Sequence, residues 1–421
     1  MAAFRAAGTR VAGAKVGPDF IDPGYHSLAT GRPPRNIDAW MCGVTLAKPL
    51  AARAGLNSEI LIIEGVMGLF DGAADGTPSS TADVAAALDA PVVLVVDAAS
   101  MSSSVAAVVR GFRDHDPRLR LAGVILNRVA SDTHASLLTE ALDGLGVAVL
   151  GTIRRDDRLT WRDRHLGLVP VAERPQEASE ALARLAESIT ASCDLTGILR
   201  AARSAPELRT EAPAVPTRIG SARVAVAGGP AFTFGYQDNL EALRAAGAEI
   251  VPFDPLRDEA LPDRLDGLVV GGGFPEEFGE QLAANRQLLA DVRQRIESGL
   301  TTWAECGGLL WLAKSLDGRP MSGVVDAEAQ MTGRLTLGYR QATTALASPL
   351  GPVGTALRGH EFHYSQVTPT GSAVHLEWRF GRRTDGFASP SLLATYLHVH
   401  LAGKPQLAEH FMQTCLTGRR S

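Results

Sequence analysis

The chain has 421 residues, enough for two domains that each bury a core of their own. Hydrophobic residues at 45% and charged residues at 21% are the proportions of a globular protein and argue against a disordered chain. A formal charge of -5 without a long basic run argues against nucleic acid as the main partner.

Strand-like and helical runs alternate through the first half, the pattern of a parallel α/β sheet. Strands are predicted over 10–14, 60–63, 92–96, 122–126 and 147–150. Helices are predicted over 81–88 and 104–112, and one helical stretch from 177 to 202. The loop after the first strand reads Lys15-Val-Gly-Pro-Asp19-Phe-Ile-Asp22-Pro-Gly-Tyr-His26, and the next strand runs into Glu64-Gly-Val-Met-Gly-Leu-Phe-Asp71-Gly. Both loops therefore fall at the carboxyl edge of the sheet, where open α/β sheets bind ligands. Converging Asp and Glu side chains there suit magnesium, which takes a few carboxylates together with phosphate oxygens. The competing reading is that Asp and Gly are simply what turns prefer.

Cys42, Cys193, Cys306 and Cys415 are scattered without Cys-x-x-Cys spacing. That spacing predicts a reducing cytoplasm and neither a disulfide framework nor a zinc site. The longest apolar runs, such as 91–96, have strand length and fall short of a membrane span, and the N-terminus lacks a signal-peptide core. No membrane partner is expected. Residues 204–221 open on a proline-rich stretch without apolar periodicity and read as a linker. A second α/β domain is predicted from 222, where Val224-Ala-Val-Ala227 begins a strand.

In that domain Thr301-Thr-Trp-Ala-Glu305-Cys306-Gly307-Gly308 precedes a helical pattern over 309–316. The order describes a strand, a sharp turn with sulfur at its apex, and a helix N-terminus behind it. Glycine relieves the strained turn, and the helix start favours the thiolate. The Gly307 N–H can face a developing oxyanion, as at the nucleophile elbow of serine hydrolases. Upstream, Leu268-Val-Val270 opens into Gly271-Gly272-Gly273-Phe-Pro275-Glu276, whose N–H groups are candidates for the same oxyanion hole. Downstream, Leu393-Ala-Thr-Tyr-Leu-His398-Val-His400 suggests a strand ending at His398, within reach of the cysteine in the same sheet.

Together these three elements resemble a class I glutamine amidotransferase domain, with Cys306 and His398 as its catalytic pair and Gly272, Gly273 and Gly307 as its oxyanion hole. One position departs. Most class I amidotransferases carry a carboxylate two residues after the histidine, and here that residue is His400. The amidotransferases of cobalamin synthesis also lack that acid. What orients His398, and whether His400 does so, stays open in the sequence.

The two acidic loops, with the Glu-Cys-Gly-Gly elbow, resemble the cobyrinate/hydrogenobyrinate a,c-diamide synthase family. So do Arg164-His165-Leu-Gly-Leu168, Ala231-Phe-Thr-Phe234, Asp238-Asn-Leu240 and Gly359-His-Glu-Phe-His-Tyr364. The resemblance covers essentially the whole chain. It implies an α/β protein with a P-loop, dethiobiotin-synthetase-like domain over 1–203 and a class I, flavodoxin-like amidotransferase domain over 222–421. It further implies a carbon–nitrogen ligase that releases ammonia from glutamine and amidates the a and c carboxylates of a corrinoid, with ATP and magnesium. Lys15, Asp19, Asp22, Glu64, Asp71 and Asn127 match ATP, magnesium or substrate positions, Asp19 and Glu64 the magnesium. Arg164 and His165 would meet substrate carboxylates or lie solvated. A homodimer in the cytoplasm is expected. Nickel-sirohydrochlorin a,c-diamidation is the alternative activity.

No Gly-x-x-x-x-Gly-Lys-[Ser/Thr] string occurs in the sequence. In the family it lies on a first strand upstream of the helix that here spans 2–7. The expectation is that this chain, as written, lacks synthetase activity, through a late start or a truncation, and that an upstream extension restores it.

Overall fold

The computed structural model describes residues 1–161, 163–164, 167–208 and 214–418, with backbone alone for 163, 164 and 167. The chain forms two compact units. The first comprises Met1–Ala39, Val44–Gly72 and Pro78–Ala212, and the second Trp40–Gly43, Ala73–Thr77 and Pro213–Ser421. Two short stretches of the first half of the sequence thus belong to the second unit.

In the first unit Val11–Val16 is buried at every position, because parallel strands pair on both sides of it: Asn36–Ile37 and Ile60–Glu64. A second parallel sheet orders Pro91–Asp97, Arg120–Val129 and Ala148–Arg154 over a core that includes Val96, Val109, Val124, Leu126 and Leu138. No ladder joins the two sheets among the described residues, and Val95 is 59% exposed. The helix Thr81–Leu88 starts where predicted, on a capping box in which Ser80 and Asp83 satisfy each other's backbone N–H. The helical stretch predicted over 177–202 is two helices, Pro175–Ser192 and Leu195–Arg203. Asp194 makes the break: its carboxylate accepts the Gly197 N–H at 2.8 Å and starts the second helix.

The second unit holds a sheet ordered Ala248–Phe253, Ala222–Ala227, Gly267–Val270, Thr301–Glu305, Leu392–Thr395 and Phe387–Ser389, parallel except at the last strand. Thr301–Glu305 is wholly buried, and successive side chains serve opposite faces: Trp303 joins one core layer and Ala304 the other. An antiparallel sheet that the sequence reading does not anticipate is built on the long pair Glu328–Thr344 and Ala356–Thr368, with Val374–Trp378 and Gly381–Asp385 on one side.

That second sheet corrects two expectations. The helix after the elbow spans only Gly307–Leu312, because Ser315–Leu316 pairs with Glu328–Thr344. The strand before the histidine ends at Thr395. His398–Val399 belongs instead to the antiparallel sheet, pairing with Gly359 and His360. Among the described residues, no helix is long and apolar enough to cross a membrane.

Candidate active site

Cys306 sits at φ 49°, ψ -104°, a conformation that costs energy for any residue with a Cβ, and it follows directly from the buried strand Thr301–Glu305. Its backbone N–H is held by the Thr395 carbonyl at 2.8 Å, and its Sγ lies 4.0 Å from the Phe362 carbonyl oxygen. The turn is therefore the strained elbow expected of a nucleophile. The expected bias toward thiolate is absent. Burial pushes the thiol up, the Glu276 carboxylate acts in the same direction, and Glu305 and Glu361 add to it against the Gly307 N–H. Six residues of helix do not offset a buried site faced by three carboxylates, so the thiol needs a base.

His398 is fully buried, and its Nδ1 lies 3.3 Å from Oε2 of Glu305. The other oxygen of Glu305 accepts the Val399 N–H at 3.0 Å. The Cε1–Nε2 edge faces Gly272, where a Cβ would come within 2.6 Å of Cε1. His360 stacks on the ring at 4.9 Å between centroids. Asn239 clamps the following segment, donating to the Val399 carbonyl at 2.8 Å and accepting the Leu401 N–H at 2.7 Å. His400 does not take the place of the missing acid. Its Nδ1 accepts the Ala402 N–H at 3.3 Å, and its ring packs on Tyr236 at 4.5 Å.

The three glycines divide their roles. Gly272 donates its N–H to the Phe234 carbonyl at 3.0 Å, which removes it from the oxyanion donors proposed for it. Gly273 and Gly307 remain. A Cβ on Gly307 would lie 3.0 Å from the Gly273 nitrogen, so the two backbones meet next to Cys306.

Behind Cys306, the Gly359–Tyr364 motif lies on the strand Ala356–Thr368. Glu361 is completely buried and accepts from Arg340 at 2.6 Å and from Arg383. His363 stacks on Tyr396 at 3.7 Å. Asp385 accepts the Thr395 hydroxyl and the Tyr396 N–H, fixing the chain between the end of the strand Leu392–Thr395 and His398.

In the first unit the structure brings together Lys15, Asp19, Asp22 and Glu64. Lys15 Nζ lies 2.6 Å from Asp22, 3.1 Å from Glu64 and 4.0 Å from Asp19. Burial pulls the Lys15 ammonium down, but the three carboxylates outweigh it and the net direction is up. Burial and the Asp22 charge hold Asp19 up at about 6, against Lys15 and the N–H groups of Asp22 and Ile21. Burial also works upward on Glu64, yet His26 and Lys15 bring it down to about 2. His26, 2.5 Å from Glu64, is a site residue the sequence reading passed over. The signal was present: Asp22 and His26 are four apart on the helix Asp22–Thr30 and share a face.

Asp71 and Asn127 do not join this cluster. Asp71 is exposed and accepts the Gly68 N–H at 2.9 Å, closing its own turn. Asn127 lies near the end of the middle strand of the other sheet, opposite Asp97, and its side chain accepts the Arg128 N–H at 2.9 Å. His165 and the Arg164 side chain lie outside the described residues. No group of three or more His, Cys, Asp or Glu among the described residues is arranged to hold a metal ion. Magnesium needs only one or two carboxylates beside phosphate oxygens, and Asp19 fits that use. Glu64 fits it poorly, since both its oxygens are engaged by Lys15 and His26.

Residues 223–406 match the CobB/CobQ-like glutamine amidotransferase domain, and residues 1–169 match the CobQ/CobB/MinD/ParA nucleotide binding domain. A hydrogenobyrinate a,c-diamide synthase of Streptomyces coelicolor is 47% identical over 99% of this chain and 93% of its own length. One of Thermobifida fusca is 47% identical over 100% and 93%. A cobyrinate a,c-diamide synthase of Synechococcus is 39% identical over 99% and 94%. The chain belongs to the cobyrinate/hydrogenobyrinate a,c-diamide synthase family of glutamine amidotransferases in cobalamin biosynthesis.

Proposed function

We propose that this protein amidates the a and c carboxylates of hydrogenobyrinate, using ATP and glutamine. The observation that carries the glutamine half is the strained Cys306 elbow directly after Glu305, whose carboxylate holds His398 Nδ1. His398 takes the Sγ proton through Nε2, and the sulfur attacks the glutamine carboxamide. The N–H groups of Gly273 and Gly307 receive the oxyanion. His398 then returns the proton to the departing nitrogen, which leaves as ammonia, and water hydrolyses the thioester to glutamate.

The nucleotide half belongs to the first unit. Lys15 meets phosphate or carboxylate charge, and Glu64 holds Lys15 and His26 in place. Asp19 would hold magnesium, which when bound neutralises phosphate charge. Transfer of the γ-phosphoryl group to a corrin carboxylate forms an acyl phosphate, and ammonia displaces the phosphate to give the amide. The cobalt-free corrin is favoured because relatives named for hydrogenobyrinate reach 45–47% identity, while those named for cobyrinate reach 38–41%. Assembly as a homodimer rests on the family resemblance, and light scattering tests it.

The deciding experiment supplies hydrogenobyrinate, cobyrinate or nickel sirohydrochlorin with ATP, magnesium and glutamine and follows product mass. Two additions of an amide to hydrogenobyrinate are expected on the strength of the relatives' names, against the inactivity expected from the missing Gly-x-x-x-x-Gly-Lys-[Ser/Thr] string. Unamidated corrin beside working glutaminase would decide for the latter. Amidation of the nickel tetrapyrrole in preference to either corrin would overturn the assignment.

A further inference from the structure

The geometry points to Glu305, the residue immediately before the nucleophile, as the group that positions His398 for proton transfer. The inference rests on the glutamine-hydrolysing reading of this site and supplies the acid that His400 replaces in the sequence.

Glu305 ends a strand buried at all five positions and is itself 5% exposed. Its two oxygens divide between the ring and the backbone of one segment: Oε2 lies 3.3 Å from His398 Nδ1, and Oε1 accepts the Val399 N–H at 3.0 Å. A carboxylate can only accept, so Nδ1 carries the hydrogen and Nε2 presents its lone pair toward the glycine turn. That is the tautomer a base needs in order to take a proton from sulfur.

The other polar groups nearby are committed elsewhere. Asp385 holds Thr395 and Tyr396, and Glu361 holds Arg340 and Arg383. His360 offers His398 its ring face, and its Nε2 meets the Tyr236 hydroxyl at 3.0 Å. A stacked ring restrains a neighbour's tilt but does not choose its tautomer. His400 spends its Nδ1 on the Ala402 N–H. A buried carboxylate on Nδ1 also favours the imidazolium formed once the proton has moved. Positioning acid and nucleophile are therefore consecutive residues, the last of one strand and the first after it, and the base comes from a strand of the other sheet.

The test is Glu305→Gln. The amide oxygen can still accept the Val399 N–H, but its NH₂ turned to Nδ1 would force the hydrogen onto Nε2. Glutaminase kcat should fall about 10²-fold or more, with KM for glutamine within about twofold of wild type. Glu305→Asp keeps the charge and should recover part of that loss. Nitrogen-15 NMR of the histidine rings, with His398 assigned from the signal missing in His398→Gln, should find Nδ1–H in wild type and Nε2–H in Glu305→Gln.

A wild-type Nε2–H tautomer, or wild-type kcat in Glu305→Gln, overturns the inference. Equal losses in the Asp and Gln variants with the tautomer unchanged would mean a structural role alone and overturn it too. The wild-type tautomer is readable without turnover and without any Glu305 variant, needing only His398→Gln for the assignment. A wild type that binds but never hydrolyses glutamine would instead defeat the proposed function, and the two failures stay distinct.

Discussion

Gly272 faces His398 so closely that a methyl group would sit 2.6 Å from Cε1 and 3.2 Å from Nε2. The imidazole is held on other sides too, with His360 stacked on its face and Glu305 at its Nδ1. Gly272→Ala must therefore push the ring off its position. A displacement near 1 Å costs about 10²-fold in rate, and that loss of glutaminase kcat is expected here. An unchanged kcat would mean that the ring moves without consequence.

Cys306→Ala should abolish glutamine-driven amidation and leave amidation from free ammonia, because the thiol serves only ammonia release. His398→Ala should act in the same direction. His400→Asn should differ, since asparagine can replace the helix-capping acceptor that Nδ1 now provides. Glutaminase within about threefold of wild type is expected for that variant, on the view that a cap is worth roughly 1 kcal/mol and carries no chemistry. Paired assays with glutamine and ammonium chloride separate the three.

The Cys306 thiol is held up by burial first and by Glu276 second, so it stays protonated through neutral pH. Alkylation by iodoacetamide should be slow at pH 7 and still rise at pH 9, roughly tenfold per pH unit. Glu276→Gln removes one upward push and should shift the whole rate profile to lower pH. The same sign governs stability. The unfolded chain sheds this proton first, so the thiol's contribution is lost as pH rises past the ordinary cysteine value. An alkylation profile that levels off below pH 8 would contradict the assigned environment.

Lys15 is 4% exposed among three carboxylates, whereas the Glu64 side chain is 46% exposed. Lys15→Met leaves Asp22 without its cation and Glu64 with His26 alone in a partly wet site. The cost should be about 2 kcal/mol, below the range for full burial because water reaches Glu64. Asp19→Asn should weaken magnesium-dependent amidation and spare glutaminase. Denaturant melts read the first effect, and parallel amidation and glutaminase assays read the second.

Much was legible from the sequence because it is written in local chemistry. The Glu-Cys-Gly-Gly string announces an elbow, since only such residues tolerate a strained turn between strand and helix. Short uninterrupted apolar runs mark the parallel strands, and two acidic loops after strands of one sheet place Lys15, Asp19, Asp22 and Glu64 at one edge. The tertiary structure decided everything that depends on contacts distant in sequence. His398 meets Glu305 across 93 residues because two sheets converge there. His26 reaches Glu64 from the helix that follows the neighbouring strand, and Phe234 takes the Gly272 N–H. Asp71 closes a turn of its own, although its motif resembles that of a ligand site. Strand and turn preferences act over a few residues, whereas the partner of a buried charge or an amide is chosen by which surfaces pack together.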